Sequence, residues 1–172
     1  MNWLLTLLIP LLFATNQVTT EPTQKSLDIY VFVAETCPIC QYYTAKINQI
    51  SEKYPEHNIV LVFPNDLSSE ETMAKFKKKY KLDVEMRLDK DHDLVQKFGA
   101  TVTPEVVVYD SAADSVYYQG RIDDNYSRVG QRKRQIQSDD LIDALTSITN
   151  ETPIAMAKTT PVGCYISQKI KK

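Results

Sequence analysis

Cysteine is scarce in this 172-residue chain, with three in all, at positions 37, 40 and 164. That excludes a small fold stapled by several disulfides, and a chain of this length can build a full hydrophobic core without them. Histidine is scarcer still, with only His57 and His92. Beyond one CxxC there is no second ligand pair for the closed tetrahedral kind of zinc site. No sign of charge dominates: 20 Lys and Arg stand against 22 Asp and Glu, a formal net charge of −2. The overall balance therefore gives no reason to expect nucleic acid or an anionic membrane as partner. An apolar run long enough to span a bilayer is also missing. The apolar block at residues 3–14, in "MNWLLTLLIPLLFATNQVTT", contains Pro10 and turns polar after Ala14. It has roughly the length of a signal-peptide core, although the terminal amine is its sole positive group. Residues 1–20 are therefore expected to be a signal peptide or N-terminal anchor. Export to the periplasm or another extracytoplasmic compartment of a bacterium would follow, with any membrane association through this segment alone. Internal repeats and linkers between cores are lacking as well, so one domain is expected.

What is present reads as alternating strands and helices. Residues 27–34, "LDIYVFVA", form a nearly continuous apolar and β-branched run, the pattern of a strand covered on both faces. From Pro38 the spacing becomes helical, with Ile39, Tyr42, Tyr43, Ile47, Ile50 and Tyr54 recurring up to the break at Pro55. Pro38 suits the first helical turn, where a missing N–H costs nothing. "NIVLVFP" reads as a strand, and "SSEETMAKFKKKY" as a helix capped by Ser68 or Ser69 with acids in its first turn. "VEMRLD" follows as a short strand and "DHDLVQKFG" as a short helix closed by Gly99. "TPEVVVYD" and "SVYYQG" pair as strands around the turn "SAAD". A polar loop runs from 121 to about 137, "SDDLIDALTSIT" is an amphipathic helix with Ser138 as cap, and 150–172 is a proline-containing tail. The order is that of an α/β fold, its early strands parallel and its late pair antiparallel.

The stretch that carries chemistry is "FVAETCPICQYY". A strand delivers Cys37 to the sheet edge, and Pro38 opens a helix whose first turn offers unpaired N–H groups and the positive end of the dipole. A thiolate is stabilised there, below the free value of about 8.5. Cys40, three positions on, returns to the same helix end and can close a short ring. On this reading Cys37 attacks and Cys40 resolves the mixed disulfide. Half of a metal site and a pair of inert core thiols are the competing readings of the same residues.

"ETCPIC" after a buried strand, with "TVTPEVVVYD" far downstream, resembles the thioredoxin superfamily. The spacing and added elements are similar to its redoxin branch, the peroxiredoxin-like and exported thiol–disulfide oxidoreductase groups. "YYQGRIDDNYSRVGQRK" and "TTPVGCYI" resemble a set of exported bacterial redoxin-domain proteins. The resemblance implies a thioredoxin-like α/β fold over residues 27–149: a central mixed sheet flanked by helices, with a redoxin-type strand/helix insertion and a tail, 150–172, packed on the domain. It implies a cis peptide before Pro104, a backbone at Thr103 that pairs with an extended client, and Pro38 and Ile39 lining the place where the client sits. Protein thiol or disulfide clients and a redox partner would be the binding partners, with no cofactor and no metal. Against the family pattern, Val31 stands where thioredoxins carry a buried Asp, Thr36 where they carry Trp, and Pro38-Ile39 replaces Gly-Pro. The Thr that peroxiredoxins place three residues before their reactive cysteine is Ala34, which leaves thiol peroxidase as a secondary alternative. A copper or metal chaperone, or a thiol-based binding module, is the other. Copper chaperones of the superfamily use CxxxC and a His near the proline loop, and the loop here reads "TVTP". Cys164 is read either as an additional redox thiol, pairing with Cys37 in place of Cys40, or as a structural thiol.

Among the remaining features, Tyr42–Tyr43 and Tyr117–Tyr118 are adjacent pairs of which one member each should face the core, with Tyr42 a candidate for a client groove. Arg121, Asp123 and Asp124 are expected to form ion pairs that hold their loop. "RVGQRKRQ" and "KFKKKYK" read as solvated faces, and His92 as a solvated residue at a helix start.

Overall fold

A computed structural model of the chain describes residues 25–167, so the apolar block at 3–14 and its reading as a leader or anchor lie outside the described residues. The elements follow in the order β1 (Asp28–Phe32), α1 (Pro38–Lys53), β2 (Asn58–Phe63), α2 (Glu70–Tyr80), β3 (Glu85–Leu88), α3 (Asp93–Phe98), β4 (Val102–Thr103), β5 (Glu105–Asp110), β6 (Ser115–Gly120), β7 (Tyr126–Arg128), β8 (Gln131–Arg132), α4 (Asp140–Thr149) and β9 (Cys164–Tyr165). Five strands form one mixed sheet in the order β3-β2-β1-β5-β6. β1 pairs parallel with β2, and β2 with β3, whereas β5 runs antiparallel to both β1 and β6.

The continuous apolar runs are explained by cover on both faces. Ile29, Val31, Ile59, Leu61, Phe63, Val106 and Val108 point to one side, where α1, α2 and α4 supply Ile39, Tyr43, Ile47, Ile50, Met73, Phe76, Leu141 and Leu145. Their neighbours in sequence, Phe32, Val60, Val62 and Val107, point to the other, against Val95 and Phe98 of α3 and Ile166 of the tail. A strand with a partner layer on each side cannot alternate apolar with polar residues. Among the described residues no helix is long and apolar enough to cross a membrane.

Several local expectations are met and others are corrected. Ser69 caps α2: its hydroxyl accepts from Thr72 N at 3.2 Å, and its own N–H donates to Thr72 Oγ1 at 2.9 Å. Gly99 ends α3 in the left-handed region, with φ 65°. Ser138 is not the cap of α4. Asp139 holds that position without a side-chain cap bond, its carboxylate lying instead 2.6 Å from Lys46 Nζ. His92 is buried rather than solvated, 4% exposed at φ 60°, with Nε2 2.7 Å from Pro64 O. The first N–H groups of α3 are taken by the Asp89 carboxylate, which accepts from Leu94 and Val95. The segment 121–137 contains the β7–β8 hairpin. It is held by Asp124, which accepts from Lys133 Nζ at 2.6 Å and from the Gln137 and Ser138 N–H groups. Arg121 pairs with neither neighbouring aspartate but with Asp140, at 2.7 Å. The tail also contains a strand, β9, laid antiparallel on β4.

Candidate redox site

Three thiols meet at the N-terminal end of α1. β1 ends at Phe32, and the turn that follows is closed by Cys37 N–H donating to Ala34 O at 3.1 Å. Cys37 is the N-cap of α1, in extended conformation (φ −77°, ψ 115°), with Pro38 in the first turn and Gln41 N–H donating to Cys37 O. Glu35 fastens this turn from outside: its carboxylate accepts from Ser68 Oγ at 2.7 Å and Thr72 Oγ1 at 2.6 Å, and its carbonyl accepts from Gln41 Nε2 at 2.7 Å. The loop that carries the cysteines is thereby fixed to the start of α2. Cys40 lies one turn inward, and its sulfur accepts from Ala34 N–H at 3.5 Å.

Opposite stands the loop between β4 and β5, with a cis peptide bond between Thr103 and Pro104. Cys37 Sγ lies 3.3 Å from Thr103 O. This loop is held from below by the buried carboxylate of Glu105, whose Oε2 accepts from the N–H groups of Thr101 at 2.9 Å and Val102 at 3.4 Å while Oε1 accepts from Gln119 Nε2 at 2.9 Å. β9 closes the site from the third side: Cys164 lies opposite Thr103 in the ladder, and its thiol donates to Cys37 Sγ at 2.9 Å. All three cysteines are free, Cys37 and Cys40 buried and Cys164 half-buried.

The thioredoxin-like family model matches residues 25–114, more than half of the chain, including the CPIC turn and the Thr103-Pro104 loop. The chain belongs to the thioredoxin-like family. Solved structures with the same architecture include a hypothetical protein of Sinorhizobium meliloti 1021, 18% identical, with a TM-score of 0.73 over 87% of this chain and 83% of that one. A conserved protein of Geobacillus kaustophilus, also 18% identical, has a TM-score of 0.72 over 85% of this chain and 79% of that one. A secreted Mycobacterium tuberculosis disulfide oxidoreductase, 17% identical, has a TM-score of 0.50 over 73% and 81%. At these identities the likeness is one of fold. No curated protein matches the sequence.

The electrostatics of this thioredoxin-like site separate the three sulfurs. Cys37 is held down to about 5, chiefly by the S–H that Cys40 donates to it. The Cys164 S–H and the N–H groups of Cys40 and Ile39 add to this, against the opposing effect of burial. Burial pushes Cys40 well above the ordinary thiol range, and the bond it gives Cys37 keeps its proton in place. Cys164 is pushed up to about 11, first by burial and then by its bond to Cys37. The arrangement is one thiolate between two thiols, the charge distribution needed for one nucleophile with two prospective partners.

Of the residues singled out in the sequence, Cys37, Cys40, Thr103, Pro104 and Cys164 come together here, and Pro38 and Ile39 form the first turn of α1 beside them. Pro38 is exposed, whereas Ile39 is turned into the core at 2% exposure. Tyr42, 42% exposed, lies outside, its ring beneath the Arg132 guanidinium and its hydroxyl accepting from Asn125 Nδ2 at 2.8 Å. His57 stacks on Tyr54 and His92 bonds to Pro64 O. Among the described residues no group of three or more His, Cys, Asp or Glu is placed to hold a metal ion.

Sequence reasoning did not single out Glu35 or Glu105, and it gave Asp123 a different role. Asp123, 3% exposed, accepts from the Tyr43 hydroxyl, from Lys46 Nζ at 2.6 Å and from Asn125 N–H at 2.9 Å. It joins α1, one turn beyond Cys40, to the segment leaving β6. The faint signal was "GRIDD" itself, where the buried Ile122 stands directly before two acids. Nothing local in "AET" or "TPE" marks the two glutamates.

Proposed function

We propose that the protein is an exported thiol–disulfide oxidoreductase acting on protein clients. The observation that carries this reading is the placement of Cys37 at the N-cap of a helix, with Cys40 one turn on and with Cys164 Sγ 2.9 Å and Thr103 O 3.3 Å from its sulfur. The lowering of its pKa to about 5 agrees with it. Cys37 attacks one sulfur of a client disulfide. The client's second sulfur leaves as thiolate, and a mixed disulfide forms. Cys40 then loses its proton and attacks Cys37 Sγ, the client's first sulfur departs, and a Cys37–Cys40 disulfide remains for a redox partner to reduce. Run backwards, the same steps oxidise a client dithiol. The cis-proline loop serves as the client edge, with Thr103 offering backbone groups to an extended segment and Pro104 and Pro38 shaping its rim. Residues 27–149 constitute the catalytic domain and 150–172 a tail packed upon it, with residues 1–20 directing export. The structural likeness to a secreted disulfide oxidoreductase agrees with this reading.

The test is reduction of insulin by dithiothreitol in the presence of the full chain. Acceleration by the wild type that is lost in Cys37→Ser, and lost past the first turnover in Cys40→Ser, is the expected result. Equal rates for the wild type and Cys37→Ser would overturn the reading.

A further inference from the structure

The edge that a client would need is already in use. β9 pairs antiparallel with β4, Tyr165 facing Val102 and Cys164 facing Thr103. Thr103 Oγ1 donates to Cys164 O at 3.4 Å, and Ile166 N–H donates to Thr101 O at 3.0 Å. In backbone geometry this is an extended peptide laid on the proline loop, with a thiol over Cys37. The close approach depends on Gly163: a Cβ there would lie 2.1 Å from Thr103 O and 2.6 Å from Thr103 C, against backbone that cannot move aside. Two anchors hold the segment. At one end Thr159 is buried, its Oγ1 accepting from Arg121 N–H at 3.0 Å and lying 2.7 Å from the Tyr118 hydroxyl. At the other, Ile166 is 6% exposed in the second core cluster. Between them Thr160 and Tyr165 are exposed, and Pro161, Val162 and Cys164 half-buried. The strap thus has two buried ends and, between them, a buried Gly163 against Thr103 flanked by side chains that are exposed or half-buried.

We propose that β9 is a tethered stand-in for a client: it occupies the Thr103 edge, and Cys164 exchanges with a Cys37–Cys40 disulfide to give a Cys37–Cys164 disulfide. The proposal rests on the redox reading of Cys37 given above. In the exchange, Cys164 gives up its proton and attacks Cys37 Sγ. The S164–S37 bond forms as the S37–S40 bond breaks, the electron pair leaves on the Cys40 sulfur, and a proton ends there. Bonds and charges balance with no external oxidant or reductant. The step carries the disulfide from Cys40, 1% exposed, to the half-buried rim, where a redox partner or client thiol can reach it. An extended client gains Cys37 by displacing β9, so the strand competes with clients.

The experiment uses the full reduced chain as wild type, Cys40→Ala, Cys164→Ser and Gly163→Ala. Each is equilibrated across a series of reduced-to-oxidised glutathione ratios, acid-quenched, alkylated and mapped for disulfides. The same proteins are assayed for insulin reduction and melted thermally to establish that they are folded. The expected map has both Cys37–Cys40 and Cys37–Cys164 in the wild type, Cys37–Cys164 in Cys40→Ala, and Cys37–Cys40 alone in Cys164→Ser. In Gly163→Ala, loss of the strand should lower the Cys37–Cys164 fraction and raise the insulin rate by about tenfold, equivalent to about 1.4 kcal/mol of competition. If Gly163→Ala does not fold, Ile166→Ser releases the strap from its far end and should act in the same direction. Only a glutathione mixed disulfide at Cys37 in Cys40→Ala, or pairing and rate unchanged in the folded strand variants, would overturn the proposal. Client exchange through Cys37–Cys40 with no Cys37–Cys164 bond at any ratio refutes the third thiol and leaves the oxidoreductase reading intact. A Cys37–Cys164 bond in a protein that never reduces insulin supports the pairing and removes that reading.

Discussion

Cys37 is the most acidic of the three thiols because three physical effects favour its charged form and only burial opposes them. The Cys40 and Cys164 thiols donate to it, the N–H groups of the first helical turn point at it, and the outcome is a thiol titrating near 5. Absorbance of the thiolate near 240 nm in the reduced protein should therefore rise with a midpoint close to 5, and this transition should vanish in Cys37→Ser. The same shift sets a pH dependence of stability. In the unfolded chain the thiol titrates near 8.5, so between about 5 and 8.5 the unfolded state binds more protons than the folded one. Stability of the reduced protein should rise with pH across that window, by at most about 1.4 kcal/mol per unit, and be lost as pH falls toward 5. Urea unfolding of the reduced wild type and Cys37→Ser at a series of pH values checks this; parallel profiles would contradict it. At this scale the cysteine pair was legible from the sequence, because strand, turn, proline and helix are contiguous there. Glu35 and Gly163 were not, since their partners Ser68 and Thr103 lie 33 and 60 positions away. Glu105 was not, because a carboxylate folding back onto the N–H groups of Thr101 and Val102 across a proline has no pattern of its own.

Helices announce themselves at their ends where a local hydrogen bond defines the start. Ser69 and Thr72 satisfy each other's backbone across three residues, and the pattern shows in the sequence. Ser69→Ala should cost about 1 kcal/mol, read by denaturant unfolding, with activity unchanged. Ser138 carried the same signal, yet its hydroxyl oxygen accepts from the Arg121 guanidinium at 3.3 Å while its O–H donates to Asp140, and the N-cap falls one residue later, at Asp139. The β7–β8 hairpin escaped notice because its strands are three and two residues long and almost wholly exposed. Such strands bury nothing, and burial is what imposes an alternating pattern. What ties this region to α1 is Asp123, with Lys46 shared between Asp123 and Asp139 at 2.6 Å each. Removing Asp123 leaves Lys46 with Asp139 alone and takes the acceptor from the buried Tyr43 hydroxyl and the Asn125 N–H. Asp123→Ala should therefore destabilise the fold by about 3 kcal/mol, measured by urea unfolding, whereas Lys133→Ala on the exposed rim of the Asp124 pair should cost under about 1 kcal/mol.

Across the molecule, the sheet brings the end of β1, the cis-proline loop before β5 and the tail after α4 to one place. β1 and β5 are neighbours in the sheet although 73 positions separate Phe32 from its partner Glu105. The α/β order of the sequence does not pair these two strands, and the meeting of the CPIC turn with the proline loop was expected only from the resemblance. A tail packed on the domain, with Cys164 as a possible partner of Cys37, was expected; its strand pairing with β4 was not, because a segment held by backbone pairing, one glycine and two buried side chains has no periodicity to read. The central claim is that Cys37 is the exchange thiol of the whole assembly. Its most direct test is disulfide mapping of the wild type and Cys37→Ser across a graded glutathione series. Every protein disulfide that forms in the wild type should contain Cys37, and Cys37→Ser should form none, leaving Cys40 and Cys164 reduced where the wild type is oxidised. A Cys40–Cys164 bond, or a Cys37 that stays reduced at every ratio, would contradict the account.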